Sequence, residues 1–386
     1  MRFLFLLLLP VLCSAKTIEL GFPDLAHRVK VQLPDEYDAS KKYPALFYYH
    51  GGGGNPDTSL MRHHVDGREW IVVGMTYYQQ GRLQGTKVEL EKELTLFRSV
   101  RRHLADKYNM DQKRCYVAGF SKGGYMSDFL LQAVPDLAGG AIMGAGHLYK
   151  VNPGNTRKFS RKKPVFIGVG RLDGGYYFSL RAVVFYRNLG ASTTFDVWHD
   201  IAHSMPKDGS TALQQWLVLQ TTSRTKVAPV AQKEMEQEFQ SAAKLDPFDR
   251  WIKLRQLRGY PYASLAGDAF EKKLASEIET LEKNPAVAPE ASILNRHHKI
   301  LFQEISDSSL ENLKKANAAY LELLNQAASS KQAELVKGDY QRTRQMIEQY
   351  KKPEPDGDKG DNDPFAPNKP KDPENKRRIP RNPLVK

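Results

Sequence analysis

The chain has 386 residues, a formal charge of +13, 41% hydrophobic residues and 10% aromatic residues. That length admits two domains, or one with extensions, and the apolar share excludes a wholly disordered chain. The positive balance would suit an anionic partner, yet none of the nucleic-acid-binding motifs is present, so nucleic acid is not an expected partner and the charge reads as a generally basic surface.

At the N-terminus, Arg2 precedes an apolar run from Phe3 to Leu12, and Cys13-Ser14-Ala15 supplies the small residues of a cleavage site. Residues 1–15 therefore read as a cleaved export signal, which predicts a secreted or periplasmic protein. The run is too short to cross a bilayer as a helix, and bulky Leu12 disfavours lipidation at Cys13. Removal of the signal leaves Cys115 as the one cysteine, so no intrachain disulfide is expected. No other stretch approaches the roughly eighteen apolar residues of a membrane span.

Residues 16–225 alternate between short apolar runs and helix-like stretches. Residues 45–49, 70–75, 114–119, 141–144, 165–170 and 193–198 are rich in Val, Ile, Phe and Tyr and are bounded by Gly, Pro, Asp or Lys, as buried strands are. Between them, 86–108, 123–132, 175–188 and 206–220 read as helices; Leu90, Leu94, Phe97 and Leu104 share one face of the first. This alternation predicts a mostly parallel sheet with helices on both faces.

Four segments carry chemistry, in chain order. The strand at 45–49 runs into His50-Gly51-Gly52-Gly53-Gly54-Asn55, where bare backbone N–H groups can approach a ligand; Gly-Lys-Ser/Thr is absent, which argues against a nucleotide loop. Next, the strand at 114–119 enters Gly119-Phe120-Ser121-Lys122-Gly123, with a helix expected from about Gly123. A serine hydroxyl is a weak nucleophile and must be presented on a sharp turn, which glycines on either side permit. The turn also places the Lys122 N–H at a helix N-terminus, where a developing oxyanion would be stabilised. After the strand at 165–170 comes Arg171-Leu172-Asp173-Gly174-Gly175, which puts a carboxylate at the same sheet edge; a helix cap is the competing role for Asp173. The strand at 193–198 leads to His199-Asp200-Ile201-Ala202-His203. His203 is favoured over His199 as the base because it sits in the loop beyond the strand, and Asp200 reads as shaping that loop. His63-His64 and His297-His298 lack a second ligand cluster and read as surface histidines.

Residues 226–350 lose the strand pattern and become rich in Ala, Leu, Glu, Lys and Gln, with stripes at Phe270, Leu274, Ile278 and Leu281 and at Leu310, Leu313, Tyr320 and Leu324. Four or five helices are expected, without a clean repeat. Residues 351–386 hold eight of the 22 prolines and few apolar side chains, so this tail is expected to be disordered; its Lys376-Arg377-Arg378 could contact an anionic cell envelope.

With these elements in order, the segment from Thr17 to Gln220 resembles the polyhydroxybutyrate depolymerase, feruloyl esterase and phospholipase/carboxylesterase branch of the α/β-hydrolases. The matching residues are Tyr43-Pro44-Ala45-Leu46 leading into His50-Gly51, the elbow from Gly119 to Gly124, Gly170-x-x-Asp173, and Ala202-His203 after Val197-Trp198. Lys122 departs from the small or amide residue found after the nucleophile in many relatives, and it is expected to add charge near the mouth. The resemblance implies an α/β-hydrolase fold for that segment alone; the all-α region and the disordered tail that follow rest on composition and helical pattern. The resemblance also implies hydrolysis of an ester by Ser121 as nucleophile, His203 as base and Asp173 as its partner, with backbone N–H groups of Lys122 and Gly52 or Gly53 forming the oxyanion hole and no metal or organic cofactor. The short stretch from His147 to Lys163 leaves no room for a large lid, and its Lys150, Arg157, Lys158, Arg161, Lys162 and Lys163 suggest a basic rim suited to acyl or feruloyl esters on a polysaccharide. Two alternatives stay open: a serine peptidase with the same triad, and a non-catalytic envelope binding protein acting through its helices.

Overall fold

A computed structural model describes residues 16–351 except 24, 26, 66–68, 79–84, 148–155 and 308. The expected export signal and the expected disordered tail lie outside the described residues. The chain divides into two compact units, residues 1–291 and residues 292–386.

The first unit is built on an eight-stranded sheet with the order β1-β2-β4-β3-β5-β6-β7-β8. Its strands are β1 (Thr17–Leu20), β2 (Val29–Gln32), β3 (Tyr43–Tyr49), β4 (Ile71–Met75), β5 (Met110–Phe120), β6 (Gly139–Met143), β7 (Pro164–Gly170) and β8 (Ser192–Trp198). β3 to β8 run parallel, while β2 pairs antiparallel with both β1 and β4. The predicted parallel sheet is therefore observed, with an antiparallel edge that the alternation did not reveal because β1 is short and half-exposed.

All residues of β3, β4 and β6 are buried, because helices cover both faces. On one face Phe47, Val73, Val117 and Ile142 pack against α2 (Lys87–Tyr108), α3 (Lys122–Ala133) and α4 (Tyr176–Asn188) through Phe97, Leu130 and Val183. On the other, Trp216 of α5 (Thr211–Thr221) meets Tyr116 and Phe166, and Tyr116 meets Trp70. α1 (Ser59–His64) carries His64, which is buried rather than at the surface: its Nδ1–H donates to the Leu60 carbonyl and its Nε2 accepts from the Ser210 N–H. That pairing fixes a neutral imidazole, and burial lowers its pKa.

The sheet grows to both sides of β3, since β4 lies on one flank and β5 on the other. Loops leaving the C-terminal ends of β3 and β5 therefore meet at a point where strand order reverses, the usual place for a ligand in an open α/β sheet.

The first unit continues past residue 225 into α6 (Arg224–Ala242), α7 (Pro247–Arg258) and α8 (Asp268–Glu282). The compositional shift near 225 does not coincide with the division between units, because α7 is bonded to the sheet. Buried Asp196 of β8 accepts hydrogen bonds from Trp198 Nε1 and Ser210 Oγ, both at 2.7 Å, and from Gln256 Nε2 of α7 at 3.2 Å. α7 begins as its sequence suggests, with the Asp246 side chain accepting from Phe248 N–H and Asp249 N–H and Pro247 in the first turn.

Three more helices follow, α9 (Ala288–Ser306), α10 (Leu310–Gln326) and α11 (Ala333–Lys351). Six helices thus occupy the described residues from Arg224 onward, where four or five were expected. In the second unit, Arg342 of α11 grips Glu304 with its two terminal guanidinium nitrogens at 2.6 and 2.8 Å and reaches Asp339 through Nε at 2.9 Å. Asp339 also faces His297 Nε2 at 2.7 Å, and Tyr320 donates to Glu304. His297 is therefore a fully buried member of an ionic network, not a surface histidine.

Candidate active site

The site is assembled from the C-terminal ends of β3, β5, β7 and β8. β5 ends in the elbow, where Ser121 takes φ 56° and ψ −119°, a strained conformation for a side-chain-bearing residue. Its N–H donates to the Met143 carbonyl at 2.8 Å, and its carbonyl accepts from Gly124 and Tyr125 as α3 begins. The flanking glycines are sterically required. A Cβ on Gly119 would collide with the Gly123 carbonyl, and one on Gly123 with the Tyr49 carbonyl oxygen of the neighbouring strand. α3 starts at Lys122, so the Lys122 N–H is a first-turn donor with no acceptor inside the helix.

Asp173 follows β7 and is buried, with both carboxylate oxygens committed. Oδ1 accepts from the Gly175 N–H at 2.7 Å and Oδ2 faces His203 Nδ1 at 2.7 Å. Asp173 is not the helix cap: that position is Gly175, without a side-chain cap, and the Oδ1 contact closes a two-residue turn that holds the carboxylate towards His203. His203 Nε2 stands 2.7 Å from Ser121 Oγ, and the ring, about half exposed, lies beside Phe120. The loop carrying His203 crosses so closely over the end of β7 that a Cβ on Gly170 would strike the Ile201 and Ala202 carbonyls. Thus Ser121, His203 and Asp173 are brought together. His199 is not: its Nδ1 pairs with Asp200 at 3.0 Å and its ring packs near Phe248 of α7.

β3 delivers the glycine run. Gly51 packs against the nucleophile, with a hypothetical Cβ 3.6 Å from Ser121 Cβ. The Gly54 N–H donates to the Gly51 carbonyl at 3.2 Å and Gly53 has φ +73°, which together define a type II turn that needs glycine at its third position. His50 braces this turn by donating from Nδ1 to the Gly51 carbonyl at 2.7 Å. Among the described residues no hydrogen bond uses the N–H of Gly52 or Gly53, and no atom lies within 4 Å of a Cβ placed on either.

Sequence reasoning passed over Tyr77, Glu89 and Glu93. Tyr77, just beyond β4, is buried and donates its hydroxyl to the His50 carbonyl at 2.6 Å. Glu93 accepts from the Tyr78 N–H and Glu89 from the Gly85 N–H, both at 2.8 Å. The Lys122 ammonium, expected at the mouth, lies 3.8 Å from the centroid of the Tyr77 ring. Only the unusual burial of two glutamates on α2 could have signalled this cluster, and burial is not readable from their helical spacing.

Of the six basic residues from Lys150 to Lys163, Lys150 lies outside the described residues. Arg157, Lys158, Arg161 and Lys162 are exposed. Lys163 is buried, donating to the Pro135 carbonyl, so it belongs to no surface rim; burial pushes its pKa down to about 8. Cys115 is buried in the core, and burial raises its thiol to about 12, which makes it inert at neutral pH. No helix among the described residues is long and apolar enough to cross a membrane.

Several solved structures are similar. A carboxylesterase from Mesorhizobium loti is 17% identical, with 52% of this chain and 98% of that chain covered at a TM-score of 0.42. A Bacillus cereus carboxylesterase is 20% identical over 50% of this chain and 93% of its own, with a TM-score of 0.41. The feruloyl esterase module from Clostridium thermocellum is 17% identical over 49% and 82%, with a TM-score of 0.37. No curated protein matches the chain. A family model described as a putative esterase matches residues 24–252. This chain, a serine ester hydrolase with the α/β-hydrolase fold, belongs to that putative esterase family.

Proposed function

We propose that the protein is an exported esterase working through an acyl-enzyme on Ser121. The observation that carries this reading is the continuous chain Asp173 Oδ2, His203 Nδ1, His203 Nε2 and Ser121 Oγ, with both contacts at 2.7 Å. Asp173 accepts from Nδ1–H, which leaves the Nε2 lone pair facing the serine hydroxyl. His203 takes the hydroxyl proton as Ser121 attacks the ester carbonyl, and buried Asp173 stabilises the resulting imidazolium. The tetrahedral oxyanion is held by the Lys122 N–H and by the N–H of Gly52 or Gly53. Protonated His203 then gives its proton to the departing alcohol. Water, activated by the same base, releases the acid from Ser121.

The substrate class we favour is an acyl or feruloyl group on a polysaccharide. The half-exposed His203 supports an accessible cleft, which suits a bulky polar alcohol better than an enclosed tunnel. The expected basic rim lends this class no support: Arg161 and Lys162 sit at the N-terminal end of β7, beside Gly190 and at the sheet edge opposite Ser121.

Labelling with a fluorophosphonate tests the enzyme reading: wild type reacts, whereas Ser121→Ala and His203→Ala do not. Folded wild type that resists the probe would remove the activated serine. Turnover of acetylated or feruloylated oligosaccharides above that of long-chain p-nitrophenyl esters tests the substrate class, and the reverse preference would overturn it.

A further inference from the structure

The two oxyanion-binding segments come from different strands, and the glycine turn has no side chains with which to fix itself. Four successive glycines lose the most conformational freedom on ordering, so such a turn wanders unless it is tied down. Among the described residues, the Gly54 N–H and the His50 ring hold the Gly51 carbonyl. Gly51 packs on Phe120 and Ser121, and Tyr77 adds a side-chain hydrogen bond to the peptide that enters the run.

Tyr77 is 1% exposed and meets both segments. Its hydroxyl donates to the His50 carbonyl at 2.6 Å, which fixes the peptide that enters the glycine run. The His50 ring stands edge-on to the Tyr77 ring, with centroids 4.9 Å apart. The Lys122 ammonium, from the residue after the nucleophile, lies 3.8 Å from the centroid of that ring. A cation this close to a partly desolvated aromatic face is attracted by the ring quadrupole. Tyr77 is itself held, since Glu93 accepts from the N–H of the adjacent Tyr78 and packs with no exposure of its own. Lys122 is thus placed between a tyrosine ring and the field of Glu93 and Glu89; its pKa is lowered, burial outweighing those two carboxylates.

We propose that Tyr77 and the Lys122 side chain are positioning residues that hold the glycine turn and the elbow in register, so that donors from both meet one oxyanion. The proposal rests on the reading that Lys122 N–H and Gly52 or Gly53 N–H are those donors. The role requires no contact between either side chain and the substrate. Each acts on the placement of a backbone N–H, and a donor displaced by a fraction of an ångström loses strength in the transition state more than in the ground state.

The test measures kcat and KM for p-nitrophenyl acetate and Ki for an aryl trifluoromethyl ketone, whose serine hemiketal carries the oxyanion. The variants are Tyr77→Phe, Lys122→Met, Lys122→Arg and the Tyr77→Phe/Lys122→Met double. Deleting an oxyanion donor outright costs about 10²–10³ in kcat, so misplacing one should cost about tenfold. Tyr77→Phe keeps the ring and lowers kcat about tenfold, leaves KM within about twofold, and weakens the ketone by the same factor as kcat. Lys122→Met behaves likewise, Lys122→Arg restores most of the loss because a guanidinium also stacks on the ring, and the double variant loses less than the product of the singles. Folded variants with unchanged kcat and Ki, or changes confined to KM, would overturn the proposal, as would Lys122→Arg failing like Lys122→Met. Fluorophosphonate labelling separates the two levels. A labelled wild type with unaffected variants refutes the positioning role alone, whereas an unlabelled wild type refutes the underlying reading and this proposal with it.

Discussion

Asp173→Asn isolates the chemistry of the site from its architecture. The amide is the same size as the carboxylate, and the fixed donors around it dictate its orientation. Gly175 N–H can only donate and approaches Oδ1 at 2.7 Å, so the amide oxygen must take that side. The amide nitrogen then faces His203 Nδ1 across the remaining 2.7 Å contact and must donate to it. Nδ1 is thereby forced to be the acceptor, and the imidazole proton moves to Nε2, which points at Ser121 Oγ. A protonated Nε2 cannot accept the serine proton. The same tautomer reversal in a Ser-His-Asp triad costs about 10⁴ in kcat, or about 5 kcal/mol of barrier. For p-nitrophenyl acetate the expectation is a kcat loss of that order with KM little changed. Thermal unfolding should stay close to wild type, because both hydrogen bonds persist with roles exchanged. A well-folded Asp173→Asn variant within tenfold of wild-type kcat would refute the argument that Asp173 sets the tautomer.

Because His199 pairs with Asp200 and packs near Phe248, His199→Ala and Asp200→Asn should keep kcat within about threefold, in contrast to His203→Ala, when assayed side by side. Gly123→Ala drives a methyl into the Tyr49 carbonyl, so β3 and the elbow must separate; a stability loss of about 1–3 kcal/mol or more in denaturant titration, with activity largely gone, is expected. Buried Lys163, whose pKa falls from 10.5 to about 8, binds its proton less tightly when folded than when unfolded. Folding stability should therefore rise as pH climbs from about 8 towards 10.5, by at most roughly 3 kcal/mol, and Lys163→Met should remove that rise in denaturant titrations at neutral pH and about pH 9.5.

The parallel strands were legible because each contains a short run of β-branched and aromatic residues closed by glycine or a charge, and in β3, β4, β6 and β7 nearly all of those residues are buried on both faces. β1 and β2 escaped notice because an edge hairpin with alternating exposure has no such run. The elbow could be read from Gly119, Ser121 and Gly123, since each glycine answers a specific collision. The choice of His203 over His199 followed from its place in the loop, and the fold brings that residue to Ser121. What spacing could not convey was the packing between distant segments. Tyr77 contacts His50 and Lys122 across three separate strands' ends, Gln256 reaches Asp196 across 60 residues, and Lys163 in a basic run is turned inward. The histidine pairs misled for the same reason, since His64 and His297 are buried by partners far along the chain.

The acyl-enzyme is the central claim, and rapid acid quenching with p-nitrophenyl acetate followed by peptide mass spectrometry addresses it most directly. The account predicts one added acetyl group on the peptide containing Ser121, formed in the first turnover and absent from Ser121→Ala. Hydrolysis of the ester by wild type with no acetylated Ser121 peptide at any quench time, and with Ser121→Ala retaining that hydrolysis, would contradict it.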